Sequence, residues 1–189
     1  MTIKIKKLFE ENPNVGLEEA YQFVAKEAVD IYEHCPTLVS YAQQCNHVTE
    51  MGTRWGASTI AFLYAQPKYL VAYDWKKQST VNYIAALAGK TEFSFLPCST
   101  LEVEIDETDL LFIDTLHTYE QLKAELSLHC GKAKKYIIMH DTVKFGKKGQ
   151  RDDEIGLGPA LKEFLDVNDD WRLHEHFTNN NGLTVLRRK

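Results

Sequence analysis

Apolar runs with the length of β-strands alternate along this chain with longer segments that have the spacing of amphipathic helices. From residue 45 onward, links of a few residues join the two kinds of segment. The strand-like runs are mostly apolar throughout, which is typical of a parallel sheet covered by helices on both faces. The predicted strands read HVTEMG, YLVAYDW, TEFSFLPCS, DLLFID, YIIMHDT, WRLHEHFT and GLTVLRR. The pattern predicts an α/β fold with a single, doubly wound, mostly parallel sheet of seven strands.

The two ends of the chain depart from this alternation. The last two predicted strands follow one another through the turn NNNG, so we expect this terminal pair to be an antiparallel addition at one edge of the sheet, with an antiparallel C-terminal strand. Residues 17–44 carry apolar side chains at helical spacing, and Pro36 is expected to end or interrupt that helix. One face of the helix would hold Ala20, Phe23, Val24, Ala28 and Ile31. We therefore divide the chain into an N-terminal helical cap, residues 1–44, and an α/β domain, residues 45–189.

The composition and net charge argue against several classes of protein. A chain of 189 residues with 44% hydrophobic and 26% charged residues is typical of one soluble domain. Its net charge of −5 argues against nucleic acid as a partner, and no apolar run approaches the ~18 residues of a membrane span. The N-terminus lacks the apolar segment of a secretory signal, and the four scattered cysteines indicate reduced thiols. We expect a cytoplasmic protein that binds neither nucleic acid nor a membrane.

Polar side chains that could carry chemistry follow five of the predicted strands. The carboxyl ends of parallel strands meet at one edge of a sheet, where the ligands of open α/β folds bind. The residues at these ends are Glu50, Gly52, Gly56, Asp74, Cys98, Ser99, Asp114, His140 and Asp141. The repeated acidic residues predict a single cleft lined by carboxylates.

The first of these turns, EMGTRWGAS, has the features of an anion or nucleotide site. Its two glycines allow a tight turn, and the helix that follows offers free N–H groups and the positive end of its dipole. Asp74 lies 24 positions after Glu50, where an acid can accept both hydroxyls of a ribose. Three residues separate Gly52 from Gly56, which does not fit the dinucleotide fingerprint. An NAD(P)-dependent oxidoreductase therefore stays as an alternative only.

Five segments together resemble the class I S-adenosylmethionine-dependent methyltransferases. They are VTEMGTRWGASTIAFL, LVAYDW, LLFIDTLHTYEQLKAEL, YIIMHDT and NGLTVLRR. More narrowly, the chain resembles the small metal-assisted O-methyltransferases of the cephalosporin hydroxylase and macrocin-type group, and the phrase from Phe112 to Glu120 is the most specific match. The resemblance runs from about Cys45 to Arg188. It implies a Rossmann-like methyltransferase fold, S-adenosyl-L-methionine as cofactor, and a small hydroxylated acceptor such as a sugar or a natural product.

The resemblance also implies roles in the cofactor pocket. The residues assigned to the cofactor are Glu50, Gly52, Thr53, Gly56, Ser58, Asp74, Trp75, Ser99 and Asp114. Ser58 would lie near the methionine carboxylate, Asp74 would hold the ribose hydroxyls, and Trp75 would pack on the adenine. Ser99 would contact the adenine as well. The acid that usually precedes this serine in the family is replaced here by Cys98.

A metal site is implied at the ends of the fourth and fifth strands. Asp114, His140 and Asp141 match the positions at which metal-dependent members of the group bind a divalent cation. Oxygen ligands suit Mg²⁺, whereas the imidazole of His140, a departure from the group's pattern, moves the preference toward Mn²⁺, Fe²⁺ or Zn²⁺. Alternatively, His140 faces the sheet or hydrogen-bonds a neighbour, and no metal binds. The sequence leaves both interpretations open.

Two residues are assigned to catalysis, Asp114 and His117. Transfer of a methyl group to a hydroxyl requires alignment of the two reactants and removal of the hydroxyl proton. His117 stands where related catechol-type enzymes have a catalytic lysine, and its ordinary pKa near ~6.5 makes the neutral imidazole a base at pH 7. The alternative is that His117 holds the loop through hydrogen bonds.

Two further segments carry hypotheses about substrate and partner. Residues 143–158 combine glycines with Lys144, Lys147, Lys148 and Arg151, which could form a lid that attracts an acidic substrate. The alternative is a solvated loop whose charges nearly cancel. The N-terminal helices could cover the cofactor or form a homodimer contact. A third interpretation of the whole chain is a non-catalytic nucleotide-binding protein on the same fold.

Overall fold

The computed structural model describes residues 3–26 and 30–189, so the predicted helix-face residue Ala28 lies outside the described residues. Within these residues, seven strands form one sheet. They are β1 His47–Met51, β2 Tyr69–Asp74, β3 Glu92–Pro97, β4 Thr108–Ile113, β5 Ala133–His140, β6 Trp171–Phe177 and β7 Leu183–Arg188. The predicted seven-stranded sheet is confirmed.

The order of the strands across the sheet is β3-β2-β1-β4-β5-β7-β6. The first five strands pair in parallel, whereas β7 runs antiparallel between β5 and β6. After β1, the chain adds β2 and β3 on one side of that strand. It then crosses to the other side of β1 and adds β4 and β5. Ligands of open α/β sheets bind at such a reversal, so the carboxyl ends of β1 and β4 mark the expected site.

Helices cover both faces of the sheet. They are α1 Ile3–Glu11, α2 Leu17–Lys26, α3 Cys35–Ala42, α4 Ala57–Ala65, α5 Val81–Ala86, α6 Tyr119–His129 and α7 Leu157–Val167. Successive residues of β4 alternate between two buried clusters, with Phe112 in one and Leu111 and Ile113 in the other. Since successive side chains of a strand point to opposite faces, β4 is buried on both sides, which explains its unbroken apolar sequence.

The N-terminal helices pack into the core of the sheet. Ile5 and Phe9 of α1 and Leu38 of α3 belong to the same buried cluster as Val48 of β1. The boundary at residue 44 stays a prediction, and the segments on its two sides share one core. Pro36 lies in the first turn of α3 instead of at a helix end, because the missing N–H of proline has no intrahelical partner there.

The turn between β6 and β7 has a left-handed backbone. Asn180, Asn181 and Gly182 have φ angles of 43°, 71° and 95°. Asparagine and glycine tolerate this conformation better than other residues, which is why NNNG predicts a tight turn. The antiparallel pairing of β6 with β7 confirms the prediction.

Residues 143–158 fold back on themselves between β5 and α7. Lys148 and Ile155 form an antiparallel bridge, and the N–H of Gly149 donates to the carbonyl of Glu154. A Cβ on Gly156 would lie 2.1 Å from the carbonyl oxygen of Phe145. Close backbone packing thus accounts for a glycine here, a role different from the lid movement that we predicted.

Two compositional predictions can be compared with the described residues. All four cysteines are free thiols, as their spacing predicts. None of the described helices has the length and hydropathy needed to cross a membrane.

Candidate active site

Glycine is required at both ends of the turn between β1 and α4. Gly52 and Gly56 have φ angles of 91° and 90°. A Cβ on Gly52 would lie 1.9 Å from the carbonyl oxygen of Asp114, and a Cβ on Gly56 would lie 2.0 Å from Cδ1 of Ile84. The turn therefore closes directly against the end of β4. No side chain caps α4, so the first N–H groups of that helix are available to a ligand.

Glu50 lies beneath this turn and is fully buried. Its carboxylate accepts hydrogen bonds from Oγ of Ser58 at 2.5 Å and from Oγ1 of Thr59 at 2.7 Å. Burial raises the pKa of Glu50 to about 8, against the opposing effect of the two hydroxyl donors. Ser58, which the resemblance places near the methionine carboxylate, thus has a partner inside the protein. Glu50 can shape the pocket only from below.

Asp74 ends β2 and contacts the same turn. Its Oδ2 accepts the backbone N–H of Arg54 at 2.7 Å, and its Oδ1 accepts the N–H of Lys76 at 2.9 Å. A carboxylate has about four acceptor positions, so both oxygens can still accept a hydroxyl. The arrangement is compatible with the predicted ribose contact and adds a role in holding the turn.

Two adjoining cavities open at the carboxyl ends of the strands. The larger has a volume of about 650 Å³ and includes the predicted residues Gly52, Asp74, Trp75, Ser99 and Asp114 in its lining. The smaller has a volume of about 60 Å³ and includes Thr53, Gly56 and Ser58. Trp75 is 81% exposed at the rim of the larger cavity. The structure thus gathers the predicted cofactor residues around two cavities that share Gly52 and Asp114 in their linings, with Glu50 underneath.

The N-terminal segment forms part of the smaller cavity. Ile5, Asp30 and Ile31 contribute to its wall, and Asp30 pairs with the guanidinium of Arg54 at 2.9 Å. Oγ1 of Thr53 is buried in the same wall without a hydrogen-bond partner among the described residues. A ligand with polar groups would satisfy this hydroxyl.

Two carboxylates and two imidazoles meet at the ends of β4 and β5, and we call Asp114, His117, His140 and Asp141 the acid–histidine cluster. Nε2 of His117 lies 3.1 Å from Oδ1 of Asp114 and 2.9 Å from Oδ2 of Asp141. Nδ1 of His140 lies 3.4 Å from Oδ2 of Asp114. Possible ligand atoms of Asp114, His140 and Asp141 all lie within 4.8 Å of one another. The structure therefore brings together the predicted catalytic and metal-binding residues.

The charges within the cluster oppose the effect of burial. Burial alone would raise the pKa of Asp114, but the charge of His140 and the hydrogen bond and charge of His117 hold this pKa well below its usual range. Burial would lower the pKa of His117, but hydrogen bonds to Asp114 and Asp141 raise it to about 9. His117 thus carries a proton at pH 7 in this arrangement, whereas its ordinary pKa predicts a neutral base. The phenyl ring of Phe145 stacks on the imidazole at 4.6 Å.

The hydrogen bond of Nε2 determines how the His140 ring is oriented. Nε2 contacts the carbonyl oxygen of Asn180 at 3.2 Å and must donate to it. In the neutral imidazole the lone pair then belongs to Nδ1, which faces the carboxylates and has no hydrogen-bond partner among the described residues. Oδ1 of Asp141 is buried without a partner as well.

Two contributions to the site were not predicted. Glu125 of α6 is fully buried and accepts hydrogen bonds from Thr100, Thr115 and Gln121 beside the larger cavity. A carboxylate one position before the buried Leu126 was the available signal in the sequence. From the loop of residues 143–158, Gln150 lines this cavity, and the basic residues predicted to attract an acidic substrate are not part of its lining.

Solved structures of methyltransferases share this fold. The methyltransferase PaMTH1 from Podospora anserina, bound to S-adenosylhomocysteine, has a TM-score of 0.66 and 14% identity, over 98% of this chain and 94% of that chain. The O-methyltransferase TomG of tomaymycin synthesis from Streptomyces achromogenes, in complex with S-adenosylmethionine, has a TM-score of 0.63 and 16% identity, over 100% and 89%. The N-methyltransferase NodS from Bradyrhizobium japonicum WM9, in complex with S-adenosyl-L-homocysteine, has a TM-score of 0.62 and 12% identity, over 97% and 98%.

At these identities the likeness establishes the fold, and the predicted Rossmann-like methyltransferase fold is confirmed. No protein-family model and no curated protein sequence matches this chain. Both O- and N-methyltransferases share the fold, so the acceptor atom has to be argued from the site.

Proposed function

We propose that this protein is an S-adenosylmethionine-dependent methyltransferase that methylates a hydroxyl group of a small acceptor. The observation that carries the proposal is the larger cavity, which joins Asp74 and Trp75 to the acid–histidine cluster at Asp114. A cofactor with its adenosine at the first two residues would carry its sulfonium toward the cluster. The fold shared with methyltransferases bound to S-adenosylmethionine or S-adenosylhomocysteine supports the same cofactor.

The order of the sheet weighs against the NAD(P)-dependent alternative. Dinucleotide-binding sheets of the Rossmann type have the order 3-2-1-4-5-6. Here β7 is inserted antiparallel between β5 and β6. The cluster in turn weighs against a non-catalytic binding protein, because nucleotide binding does not need two histidines held between two carboxylates.

We further propose that Asp114, His140 and Asp141 hold a divalent cation. A cation would satisfy Nδ1 of His140 and Oδ1 of Asp141, which are otherwise buried without partners. One imidazole and two carboxylates suit Mn²⁺, Fe²⁺ or Zn²⁺ better than Mg²⁺. When bound, such a cation would lower the pKa of an acceptor hydroxyl and favour the neutral form of nearby His117.

The proposed chemistry takes place at Asp114 and His117. When bound, S-adenosylmethionine would supply the methyl group: the acceptor oxygen would form a bond to the methyl carbon as the C–S bond breaks, and S-adenosylhomocysteine would leave. The hydroxyl proton passes to the Asp114–His117 pair once His117 is neutral, and the Nε2···Oδ1 distance of 3.1 Å allows the two groups to share it. Asp114 lines both cavities, so the acceptor hydroxyl has to reach this residue.

The N-terminal cap is proposed to cover the methionine end of the cofactor. Ile5 and Ile31 in the wall of the smaller cavity would exclude water from the sulfonium. A homodimer contact through the outer surface of these helices stays a prediction, which sedimentation velocity of the full chain would test.

Calorimetric titration of the purified protein with S-adenosylmethionine and, separately, with NAD⁺ tests the choice of cofactor. We expect a dissociation constant on the order of micromolar for the first and no binding of the second. Asp74→Asn should weaken binding about 10- to 100-fold, because a charge-assisted acceptor is lost. Asp106→Asn, at an exposed aspartate, is the matched control. Binding of NAD⁺ alone would reject the proposal.

Calorimetric titration with Mn²⁺ and Zn²⁺ tests the cation site separately. We expect one site in the unaltered protein, loss of that site in His140→Gln, and no change in His174→Gln, which alters an exposed histidine of β6. If the unaltered protein binds neither metal, the metal proposal fails and the cofactor proposal is unaffected.

Transfer of an isotopically labelled methyl group to a panel of hydroxylated and amine-bearing small molecules tests the acceptor class. We expect His117→Ala to keep cofactor affinity within a few-fold and to lose turnover. Methylation of amines alone would reject the hydroxyl acceptor while leaving the methyltransferase proposal in place.

A further inference from the structure

One wall of the larger cavity contains a hydrogen-bond network. A single buried carboxylate, Glu125, determines the direction of its hydrogen bonds. Oε1 of Glu125 accepts from Oγ1 of Thr100 at 2.6 Å and from Nε2 of Gln121 at 2.8 Å. Its Oε2 accepts from Oγ1 of Thr115 at 2.9 Å. Burial raises the pKa of Glu125, and the three hydrogen bonds oppose that effect. All three partners donate to the carboxylate, so the nitrogen of the Gln121 amide, and not its oxygen, faces Glu125.

This requirement fixes the orientation of the Gln121 amide. Besides its bond to Glu125, Nε2 of Gln121 donates to Oγ1 of Thr100 at 3.2 Å. Both amide hydrogens are therefore used within the network. The carbonyl oxygen of Gln121 is left without a partner among the described residues, and the side chain lines the cavity. The amide of Gln121 thus keeps one hydrogen-bond acceptor that no described residue uses, on a side chain that lines the larger cavity.

The position of Gln121 in the cavity indicates which ligand group it meets. Trp75 and Ser99 line the same cavity. The hydroxyl of Ser99 already accepts the N–H of Leu101 at 3.2 Å, and the loop after β3 offers no acidic side chain from Pro97 to Ser99. An aromatic base with an exocyclic amine would find a flat surface at Trp75 and an acceptor at Gln121.

We propose that the carbonyl oxygen of Gln121 accepts a hydrogen bond from the exocyclic amine of the cofactor adenine. Glu125 is the positioning residue that fixes the orientation of the Gln121 amide. The inference rests on the proposed function and adds the residue that distinguishes adenine from related purines. Fixing the acceptor before binding lowers the loss of side-chain freedom on binding. Gln78 and Gln150 also line the cavity, but no comparable network holds their amides in the described part of the chain.

The test compares S-adenosylhomocysteine with S-inosylhomocysteine, in which a ring carbonyl replaces the amine. The unaltered protein should prefer the adenine compound by about ten-fold or more, since the wrong purine places a carbonyl against the Gln121 carbonyl. Gln121→Leu should reduce this preference to within about two-fold, because the acceptor that distinguishes the amine from the carbonyl is removed. Gln78→Leu, a glutamine replacement in the same cavity, is the matched control and should keep the preference.

Glu125→Gln tests the positioning role. The replacement allows the Gln121 amide to turn, so binding of the inosine compound should improve while binding of S-adenosylhomocysteine changes little. Circular dichroism checks folding of each variant, and the half-buried Gln121→Leu decides the question if Glu125→Gln does not fold.

The outcomes separate this inference from the proposed function. An unchanged preference in Gln121→Leu, or a lost preference in Gln78→Leu, would overturn the assignment of Gln121 and leave the cofactor intact. Tight binding of S-adenosylhomocysteine with no preference over the inosine compound would do the same. Failure of the folded, unaltered protein to bind either compound would overturn the proposed function itself.

Discussion

Glu50 and Asp114 stand at the carboxyl ends of neighbouring strands, yet their surroundings have opposite effects on them. Glu50 has neutral partners, the hydroxyls of Ser58 and Thr59, and burial raises its pKa to about 8. Asp114 has two imidazoles as partners, which hold its pKa well below the usual range in spite of burial. The two residues are linked through the backbone, because the N–H of Asp114 donates to the carbonyl of Met51.

The difference shows what decides the charge of a buried acid. Hydroxyl donors stabilise a carboxylate by hydrogen bonds alone, which here does not offset the loss of hydration. Positively charged partners add a Coulomb attraction that grows stronger in the low-dielectric interior. The end of β1 is therefore suited to hold a turn in place, and the end of β4 is suited to keep a charged oxygen ready for chemistry.

The largest expected effect comes from removing the charge at β4. Asp114→Asn should lower kcat/KM of methyl transfer by about 10³-fold, because the pair that takes the proton is broken. Cofactor affinity should change by only a few-fold. Asp106→Asn is the control for the loss of one negative charge. Retention of more than a tenth of the activity would show that Asp114 is not part of the chemistry.

The second largest effect is expected from disrupting the contact between the ends of β1 and β4. Gly52→Ala should lower the free energy of unfolding by about 2–5 kcal/mol, because its Cβ would meet the carbonyl of Asp114 and its φ is left-handed. Urea denaturation measures the change. Gly131→Ala has nothing within 4 Å of the new Cβ and should be nearly neutral. Equal effects in the two variants would contradict the close approach of β1 and β4.

The charge of Glu50 should appear in the pH dependence of stability. Glu50 loses its proton near pH 4.5 in the unfolded chain and near pH 8 in the folded protein. The contribution of the protonated side chain to folding stability is therefore complete below pH 4.5 and is lost as pH rises to 8. The loss should amount to a few kcal/mol, because each pH unit between the two pKa values corresponds to about 1.4 kcal/mol. Glu50→Gln should remove this slope, whereas Glu102→Gln, at an exposed residue, should keep it. A slope that persists in Glu50→Gln would assign it to another group.

The smallest effect is expected at Thr59, a neutral hydrogen-bond donor to Glu50. Thr59→Val keeps the shape of the side chain and removes a donor to Glu50, so the pKa of Glu50 should rise further. Stability at pH 9 should fall by about 1–3 kcal/mol, more than at pH 4, because the hydroxyl bonds the ionised form more strongly. Thr37→Val, at a half-buried threonine of α3, is the control. Equal losses at both pH values would mean that Glu50 keeps one charge state throughout.

Most of the fold could be predicted because its signals are local. The apolar run of β4 is long enough and uniform enough to indicate a strand buried on both faces, and NNNG specifies a turn through its backbone preferences. Pro36 was assigned wrongly because the same residue that ends a helix also begins one, and the choice depends on where the preceding helix stops. The glycines of residues 143–158 were linked to movement because close backbone approach is visible only in three dimensions.

The candidate site could be predicted as a set of positions but not as a set of charges. Strand ends converge by topology, so Asp74, Asp114 and His140 were expected near one cleft. The pKa of His117 depends on Asp141, a residue 24 positions away in the sequence, at a distance of 2.9 Å. Glu125 was missed because a single acid on a helix usually faces solvent, and only its three donors explain its burial.

The place of β7 between β5 and β6 has a consequence for the order in which the protein is completed during synthesis. Until residues 183–188 leave the ribosome, the backbone of β5 from Tyr136 to His140 has no neighbour on that side. An unpaired strand edge can template pairing with other chains, so a nascent chain is exposed to aggregation during this interval. The carbonyl of Asn180 that orients His140 arrives in the same interval. A growing chain would thus complete the turn between β1 and α4 before the acid–histidine cluster.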